Sequence, residues 1–483
     1  MNNEYIIING EKYNNIGDYC AKQGISLECF NQPVIIPEGV KDCSHMFYNC
    51  ESFNQPVTIP EGVENCSCMF LFCDSFNQPV TIPESTKNCS NMFSGCDSFN
   101  QPVTIPKGVE NCLSMFQGCE SFNQPVTIPE GVKDCSYMFE RCDSFNQPVT
   151  IPEGVKDCLG IFQECRSFNQ PVTIPEGVKD CSSMFSGCTS FNQPITIPKS
   201  VKNCLDMFYD CESFNQPIII PESIENCNFI FYNCKSFNQP ITIPEGVEDC
   251  LYMFTDCESF NQPIIIPEGV KNCSCMFEGC TSFNQSITIP ESVEDCSYMF
   301  QNCKSFNQPV TIPENVEDCS YMFHNCESFN QLITVPKSVN KYYKMFEGCH
   351  KLIENVVLIV GKTKIIDIFE NQKYLINEKE YSTEDLPNIK FKPIDKIKID
   401  IKHNRIVVEN KIDEFRIKSA TFENSDILTF KINGNIYRKT QLKNFRINKN
   451  DKFEYDKKTK TLTFFNEIDE ARIAKSMINR ALA

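Results

Sequence analysis

The sequence predicts a mainly β solenoid of about fourteen 23-residue coils with short parallel strands, plus a separate β-rich C-terminal domain ending in a helix. Three observations predict it. Phe-Asn-Gln recurs every 23 residues from Phe30 to Phe329, fourteen times without insertion or deletion. Each period repeats the same apolar positions, so one packing solution serves every copy. The period then stops near residue 350, and residues 351–483 change character.

Residues 1–29 read as an N-terminal cap. Tyr5-Ile6-Ile7-Ile8 before Asn9-Gly10 reads as a strand and turn, and Asn15 to Gln23 as a short helix with Asn15 at its N-cap. Cys20 stands 23 residues before Cys43, so the cap already keeps the register of the array.

Residues 30–350 are the array. In the copy beginning at Phe53, Val57-Thr58-Ile59 reads as a strand with Val57 and Ile59 inward and Thr58 outward. Pro56 cannot donate to a ladder and marks the strand's edge. Pro60-Glu61-Gly62 is a corner, and the Gly62 column holds only Gly, Ser or Asn. Val63 and Cys66 open a second inward segment, and Met69-Phe70-x-x-Cys73 closes the coil as a helical or 3₁₀ turn. Eight residues of each 23 then point inward. Strands spaced about 4.8 Å apart give an array on the order of 65 Å long. The Thr column (Thr58, Thr81, Thr104 and onward) is expected to form a cross-strand ladder.

Residues 351–483 read as strands at Asn355–Val360, Lys364–Phe369, Ile397–Ile401, Arg405–Val408, Glu414–Lys418, Ile427–Ile432 and Thr461–Phe465. Gly361 and Asn433-Gly434 supply turns, and Glu467 to Ala483 has helical spacing.

The run Ile-Pro-Glu-Gly-Val-x-x-Cys-x-x-Met-Phe-x-x-Cys-x-Ser-Phe-Asn-Gln-Pro resembles the BspA-like leucine-rich repeats and the related bacterial surface-protein repeat with Met-Phe and Phe-Asn-Gln. The resemblance covers about residues 20–350. It implies a leucine-rich-repeat-like solenoid and a family that includes adhesins and surface proteins.

Charge divides the chain. Residues 351–483 carry 27 Lys and Arg against 20 Asp and Glu, and residues 1–350 carry 18 against 43. The array is therefore strongly acidic, which excludes nucleic acid and anionic membranes as its partners. The N-terminus shows no secretory signal pattern, and no apolar run reaches the roughly 20 residues a membrane span needs. The expectation is a cytoplasmic protein, with a virion or surface location by non-standard export left open.

Thirty-one cysteines without a signal peptide argue for reduced thiols. Thirteen C-x6-C pairs, Cys43/Cys50 through Cys319/Cys326, form two columns. This spacing does not match zinc ligation, and side chains pointing the same way in a ladder are poorly aimed for disulfides. The columns are read as small core hydrophobes, with Cys68 and Cys275 as the accessible thiols.

Catalytic chemistry finds no footing. Gly361-Lys362-Thr363 lacks the Gly that a P-loop requires at position 356, where Val356 stands. His45, His324, His350 and His403 share no metal or catalytic spacing and read as solvated surface residues. No catalytic residue, cofactor site or metal site is assigned. The slots that vary from copy to copy are read as facing water. Their aromatic members (Tyr48, Phe72, Tyr137, Tyr209, Phe229, Tyr232, Tyr252, Tyr298 and Tyr321) form a candidate contact stripe, since interfaces favour aromatics.

The functional expectation is a non-enzymatic scaffold that presents a rigid acidic surface to a protein or glycan, with self-association through the C-terminal domain left open. The alternative is a structural or attachment component of a viral or cell-envelope assembly, anchored by that domain.

Overall fold

The computed structural model describes residues 5–331, 333–336, 338–352, 356–358, 373–382, 384–386, 397–400, 405–408, 411–412, 414–420, 427–442, 445–448 and 450–477. The chain opens with β1 (Ile6–Ile8), β2 (Glu11–Tyr13) and α1 (Ile16–Gln23). Asn15 caps α1 by accepting the Asp18 N–H at 2.9 Å, and Gly24 ends it at φ 69°. β1 pairs antiparallel with β2 and with β3 (Val34–Ile35) of the first coil. Tyr13 packs edge-on to Tyr19, and Tyr19 edge-on to Phe30, so apolar rings close the array's first cut face.

From the second coil on, the eight expected inward positions are buried, while in the first Val40 and Met46 are half-buried. Phe53, Val57, Ile59, Val63, Cys66, Met69, Phe70 and Cys73 are all inside, and Thr58 is outside. The two phenylalanines of successive coils stack in parallel columns: Phe70 lies 5.6 Å from Phe93, and Phe76 lies 6.0 Å from Phe99.

The inter-coil ladder does not lie where the sequence places it. The expected parallel strands at Val-Thr-Ile are absent from the coil interiors: among the described residues these segments exchange no backbone hydrogen bonds with neighbouring coils. Consequently, the Thr column is no cross-strand ladder. Only at the array's ends, in β3 and β4 (Ile333–Val335), does this segment become a strand. The ladder runs instead through the Cys-Met-Phe stretch. Cys66, Cys68, Phe70 and Phe72 donate their N–H groups to Asn88, Ser90, Met92 and Ser94 of the next coil at 2.8–3.0 Å. The alternate residues Met69, Leu71 and Cys73 donate three residues back, to Cys66, Cys68 and Phe70. The turn expected here is therefore a chain of i→i−3 turns rather than a helix. Residues 68 and 72 sit at φ 56° and 61°, and that left-handed alternation aims every second N–H along the array.

The Asp/Asn column starts this segment. Asn65 pairs with Asn88 in a parallel bridge, and its side chain accepts the Ser67 N–H at 3.1 Å. On the opposite side, where the coils stand farther apart, side chains span the gap. Asn54 Oδ1 accepts both the Asn77 N–H and the Gln78 Nε2–H at 3.0 Å, and the pattern repeats along the Phe-Asn-Gln column. The second Cys column is also bonded. Thirteen thiols, from Cys73 to Cys349, donate to the carbonyl of the Phe 26 residues earlier at 2.8–3.0 Å.

The array continues into the tail by strand pairing. β4 pairs in parallel with β5 (Val356–Leu358), which pairs antiparallel with β8 (Ile397–Asp400). β6 (Lys373–Ile376), β7 (Lys379–Ser382) and β9 (Arg405–Val408) complete a sheet of order β4-β5-β8-β9-β6-β7, followed by α2 (Glu414–Ser419). Next come β10 (Thr429–Ile432), β11 (Asn435–Arg438), β12 (Phe453–Asp456), β13 (Thr461–Phe464) and α3 (Glu470–Met477), with sheet order β11-β10-β13-β12.

These two groups are one module repeated at an offset of 56 residues. Hairpin, hairpin and helix recur in the same pairing order, and the first strand lies parallel to the fourth in both. Asn377 bonds the Ile412 backbone at both N–H and C=O, and Asn433 does the same with Ile468. Glu414–Lys418, expected as a strand, is helix α2. It follows the same Ile-Asp-Glu that precedes α3, and both copies turn helical at that Glu. The expected strand Lys364–Phe369, the Gly361 turn, His403 and the last residues of the terminal helix lie outside the described residues. One apolar core runs continuously from Ile6 to Ala420, and a second gathers Ile427 to Ile473.

Candidate interaction face

The hydrogen-bonded face carries two left-handed columns. The first is the slot before Met: His45, Cys68, Asn91 and onward to Tyr321 and Lys344, with φ between 49° and 60°. The second is the slot before the second Cys, Asn49 to Gly348. Eleven of that column's fourteen residues are Gly, Asn or Asp, the types that tolerate this conformation. This bias was the signal in the sequence. Reading these slots as indifferent to chemistry missed a backbone demand.

The first column resists the demand. Tyr137, Phe229, Tyr252, Tyr298 and Tyr321 all sit in the left-handed region at φ 55–60°. An L-residue there costs about 1–2 kcal/mol relative to its preferred conformation. Bulky side chains are held against that cost on one face of the array.

The face lies on the inside of the array's curve. Translation-related rings report the local coil spacing. Tyr209 and Tyr232, outside the ladder, stand 4.6 Å apart, as do Tyr298 and Tyr321. Core rings behind the ladder, such as Phe116 and Phe139, are 5.8 Å apart, and the Phe-Asn-Gln rings Phe99 and Phe122 are 6.0 Å apart. Coils that are closest at the ladder splay toward the Asn-Gln side. Direct backbone bonds between coils reach as far as Ser75, which donates to Glu51 at 3.0 Å, and beyond it the Asn and Gln side chains join the coils.

The nine aromatic residues are not one water-facing stripe. Tyr48 and Phe72 are exposed, at 43% and 45%, and lie 6.1 Å apart with His45 beside Tyr48. The other seven are half-buried, five of them (Tyr137, Phe229, Tyr252, Tyr298 and Tyr321) on left-handed backbone and two (Tyr209 and Tyr232) in the slot after the core Phe. Tyr137 lies alone over Gly160. Tyr209, Phe229, Tyr232 and Tyr252 form a central group: Tyr209 stacks on Tyr232, Phe229 stacks on Tyr252 at 4.8 Å, and Phe229 and Tyr252 approach Tyr232 at 6.1 and 6.3 Å. Tyr298 and Tyr321 join Tyr343 and His324. His324 is no solvated surface residue: burial lowers its pKa, and Glu347 lies 4.0 Å away.

Carboxylates surround the central group. Asp206, Asp256 and Glu278 are partly buried, and burial pushes their carboxyl pKa values up. Asn233 donates to Asp210 at 2.7 Å, and Gln301 donates to Glu278 at 2.5 Å. The Tyr252 phenol is pushed up to about 12, first by its hydrogen bond with Cys275. Cys275 is therefore buried rather than accessible. Cys29 is the exposed thiol, and Cys68 is part-exposed. All thirty-one thiols are free. Burial lifts the thiol pKa to about 12 at Cys43 and Cys50 and to about 11 at Cys66, so these thiols stay protonated and poorly nucleophilic. Among the described residues no three His, Cys, Asp or Glu side chains gather as a metal site, and no helix is long and apolar enough to cross a membrane.

The model of the family described as "Mycoplasma protein of unknown function, DUF285" matches residues 30–128, 87–196, 153–243, 220–312 and 249–358, together spanning most of the chain. Among solved structures, a leucine-rich repeat protein from Bacteroides ovatus is similar at 22% identity and TM-score 0.42, over 67% of this chain and 85% of that one. A leucine-rich cell surface protein from Faecalibacterium prausnitzii is similar at 21% identity and TM-score 0.39, over 68% and 84%. No curated protein matches the chain.

Proposed function

The chain belongs to the DUF285 family, of the BspA-like leucine-rich-repeat kind, and from that premise we propose that it is a non-enzymatic recognition scaffold whose inner, hydrogen-bonded face binds a protein partner. One observation carries this reading. Five aromatic residues occupy left-handed positions in a column where Gly, Asn or Asp would be less strained. Backbone strain that persists against cheaper alternatives concentrates at functional surfaces. Aromatic side chains supply much of the binding energy at protein interfaces.

The test replaces Tyr137, Phe229, Tyr252, Tyr298 and Tyr321 together with Asn, which keeps the left-handed backbone at low cost. The full-length variant should unfold at no lower a temperature than the parent. It should also lose proteins that the parent captures by crosslinking in extracts of its own cells. Capture of the same set, or a marked loss of stability, would make these rings packing residues and end the reading.

A further inference from the structure

We propose that the central group on the inner face, built on Tyr209, Phe229, Tyr232 and Tyr252, takes arginine side chains of the partner. The proposal deepens the recognition reading above and rests on it.

The rings supply the first argument. Two stacked pairs in mutual contact gather four aromatic rings across consecutive coils, 4.6 and 4.8 Å within each pair. The outer face of a ring at the end of such a stack attracts cations, and the planar guanidinium can also lie flat on it.

Charge supplies the second. Asp206, Asp210, Asp256 and Glu278 flank the rings, and none of them forms an ion pair among the described residues. The nearby cation Lys235 is committed to Glu212 at 2.6 Å. These carboxylates are partly withdrawn from water, so a docked cation would meet attraction less screened than at an open surface. Glu278 and Asp210 are already held in place by Gln301 and Asn233, which fixes acceptors beside the rings.

The third argument is contrast along the face. The cluster at Tyr321 and Tyr343 carries its own cation, with Lys344 5.7 Å from the Tyr343 ring and 3.1 Å from Glu347. The cluster at Tyr48 and Phe72 includes His45. Among the described residues, the central group combines stacked rings with carboxylates that form no ion pair, the nearby Lys235 being bonded to Glu212. Arginine fits better than lysine because its fork can bond a carboxylate while its plane covers a ring.

The probes are octa-arginine, octa-lysine and octa-glutamate peptides, titrated into the full chain at low and at ~0.5 M salt. Binding is followed by calorimetry and by tyrosine fluorescence, since the chain contains no Trp. Octa-arginine should bind at least several-fold more tightly than octa-lysine, and octa-glutamate should not bind. Tyr232→Ala with Tyr252→Asn should weaken octa-arginine about tenfold, as should Asp256→Asn with Glu278→Gln. Ile436→Ser, at an exposed position of β11, should leave it unchanged. Equal affinity for the arginine and lysine peptides, insensitive to Tyr232 and Tyr252, would reduce the effect to net charge and overturn the proposal. Concentration-dependent dimers lost in the same variants would also overturn it, by making a second copy the occupant. If octa-arginine fails while the five-Asn variant still loses captured proteins, this inference falls and the recognition reading stands.

Discussion

The ring of Tyr137 lies across Gly160 of the next coil, so that a Cβ on Gly160 would stand 2.6 Å from two of its carbons. Both residues belong to the first left-handed column, at φ 55° and 56°. Gly160→Ala should therefore lower stability by ~2–3 kcal/mol through overpacking and residual backbone strain. Tyr137→Ala should restore most of the packing loss. A double-mutant cycle in urea with no coupling between the two would show that the ring moves aside freely.

The Asn ladder sets a second expectation. Asn123 Oδ1 accepts the Asn146 N–H at 3.0 Å and the Gln147 Nε2–H at 3.1 Å. Asn123→Ala should cost ~1–3 kcal/mol, because the Asn146 backbone donor loses its partner. Asn123→Asp keeps the acceptor and should recover part of that loss. Denaturant midpoints of the two variants decide it; equal losses would mean the ladder is filled by water at no cost.

Buried thiols make the array sensitive to alkali. Their folded pKa values lie above those of the unfolded chain, as at Cys43 and Cys50, about 12 against an ordinary value of 9.0. The folded state thus holds protons that the unfolded chain releases. The stabilisation is complete below about pH 8.5 and is lost as pH rises toward 12, each thiol contributing ~1.4 kcal/mol per pH unit across that window. Thermal midpoints should begin to fall near pH 9, ahead of tyrosine and lysine titration. A flat profile to pH 11 would contradict the thiol ladder.

The tail offers a matched pair. Asn377 and Asn433 tie hairpin turns to the segments leading into α2 and α3, with bonds of 2.6–2.8 Å. Asn433→Ala should raise amide exchange in β10, β11 and α3 by one to two orders of magnitude, corresponding to ~2 kcal/mol for two bonds. β6 and β7 should be unaffected. Asn377→Ala should do the reverse. Uniform loss across both modules would mean they unfold together.

Much of the array is written in its letters. Phe, Val, Ile, Cys and Met are core because their period is strict, and Thr58 is outside because inside and outside alternate along extended chain. Asn15 as a helix cap was equally legible, since capping is local. The left-handed columns left a trace in the Gly, Asn and Asp of the second slot. The tail's duplication left one in Ile412-Asp413-Glu414 and Ile468-Asp469-Glu470, 56 residues apart. Its scattered identities are weak beside a 23-residue repeat fourteen copies long.

The sequence by itself determined the period, the buried set and the acidic array, because these depend on burial and charge that recur in every copy. Tertiary structure alone decided which side of the coil carries the ladder. Val-Thr-Ile has the composition of a strand, yet a pairing strand needs a neighbour about 4.8 Å away, and coil stacking provides direct backbone bonds from Glu64 through Ser75 but not at Val57-Thr58-Ile59. The same stacking decided which aromatic residues meet. Tyr209, Phe229, Tyr232 and Tyr252 lie up to 43 residues apart in the chain, and only coil stacking, with left-handed backbone at Phe229 and Tyr252, brings them into one group among Asp206, Asp256 and Glu278.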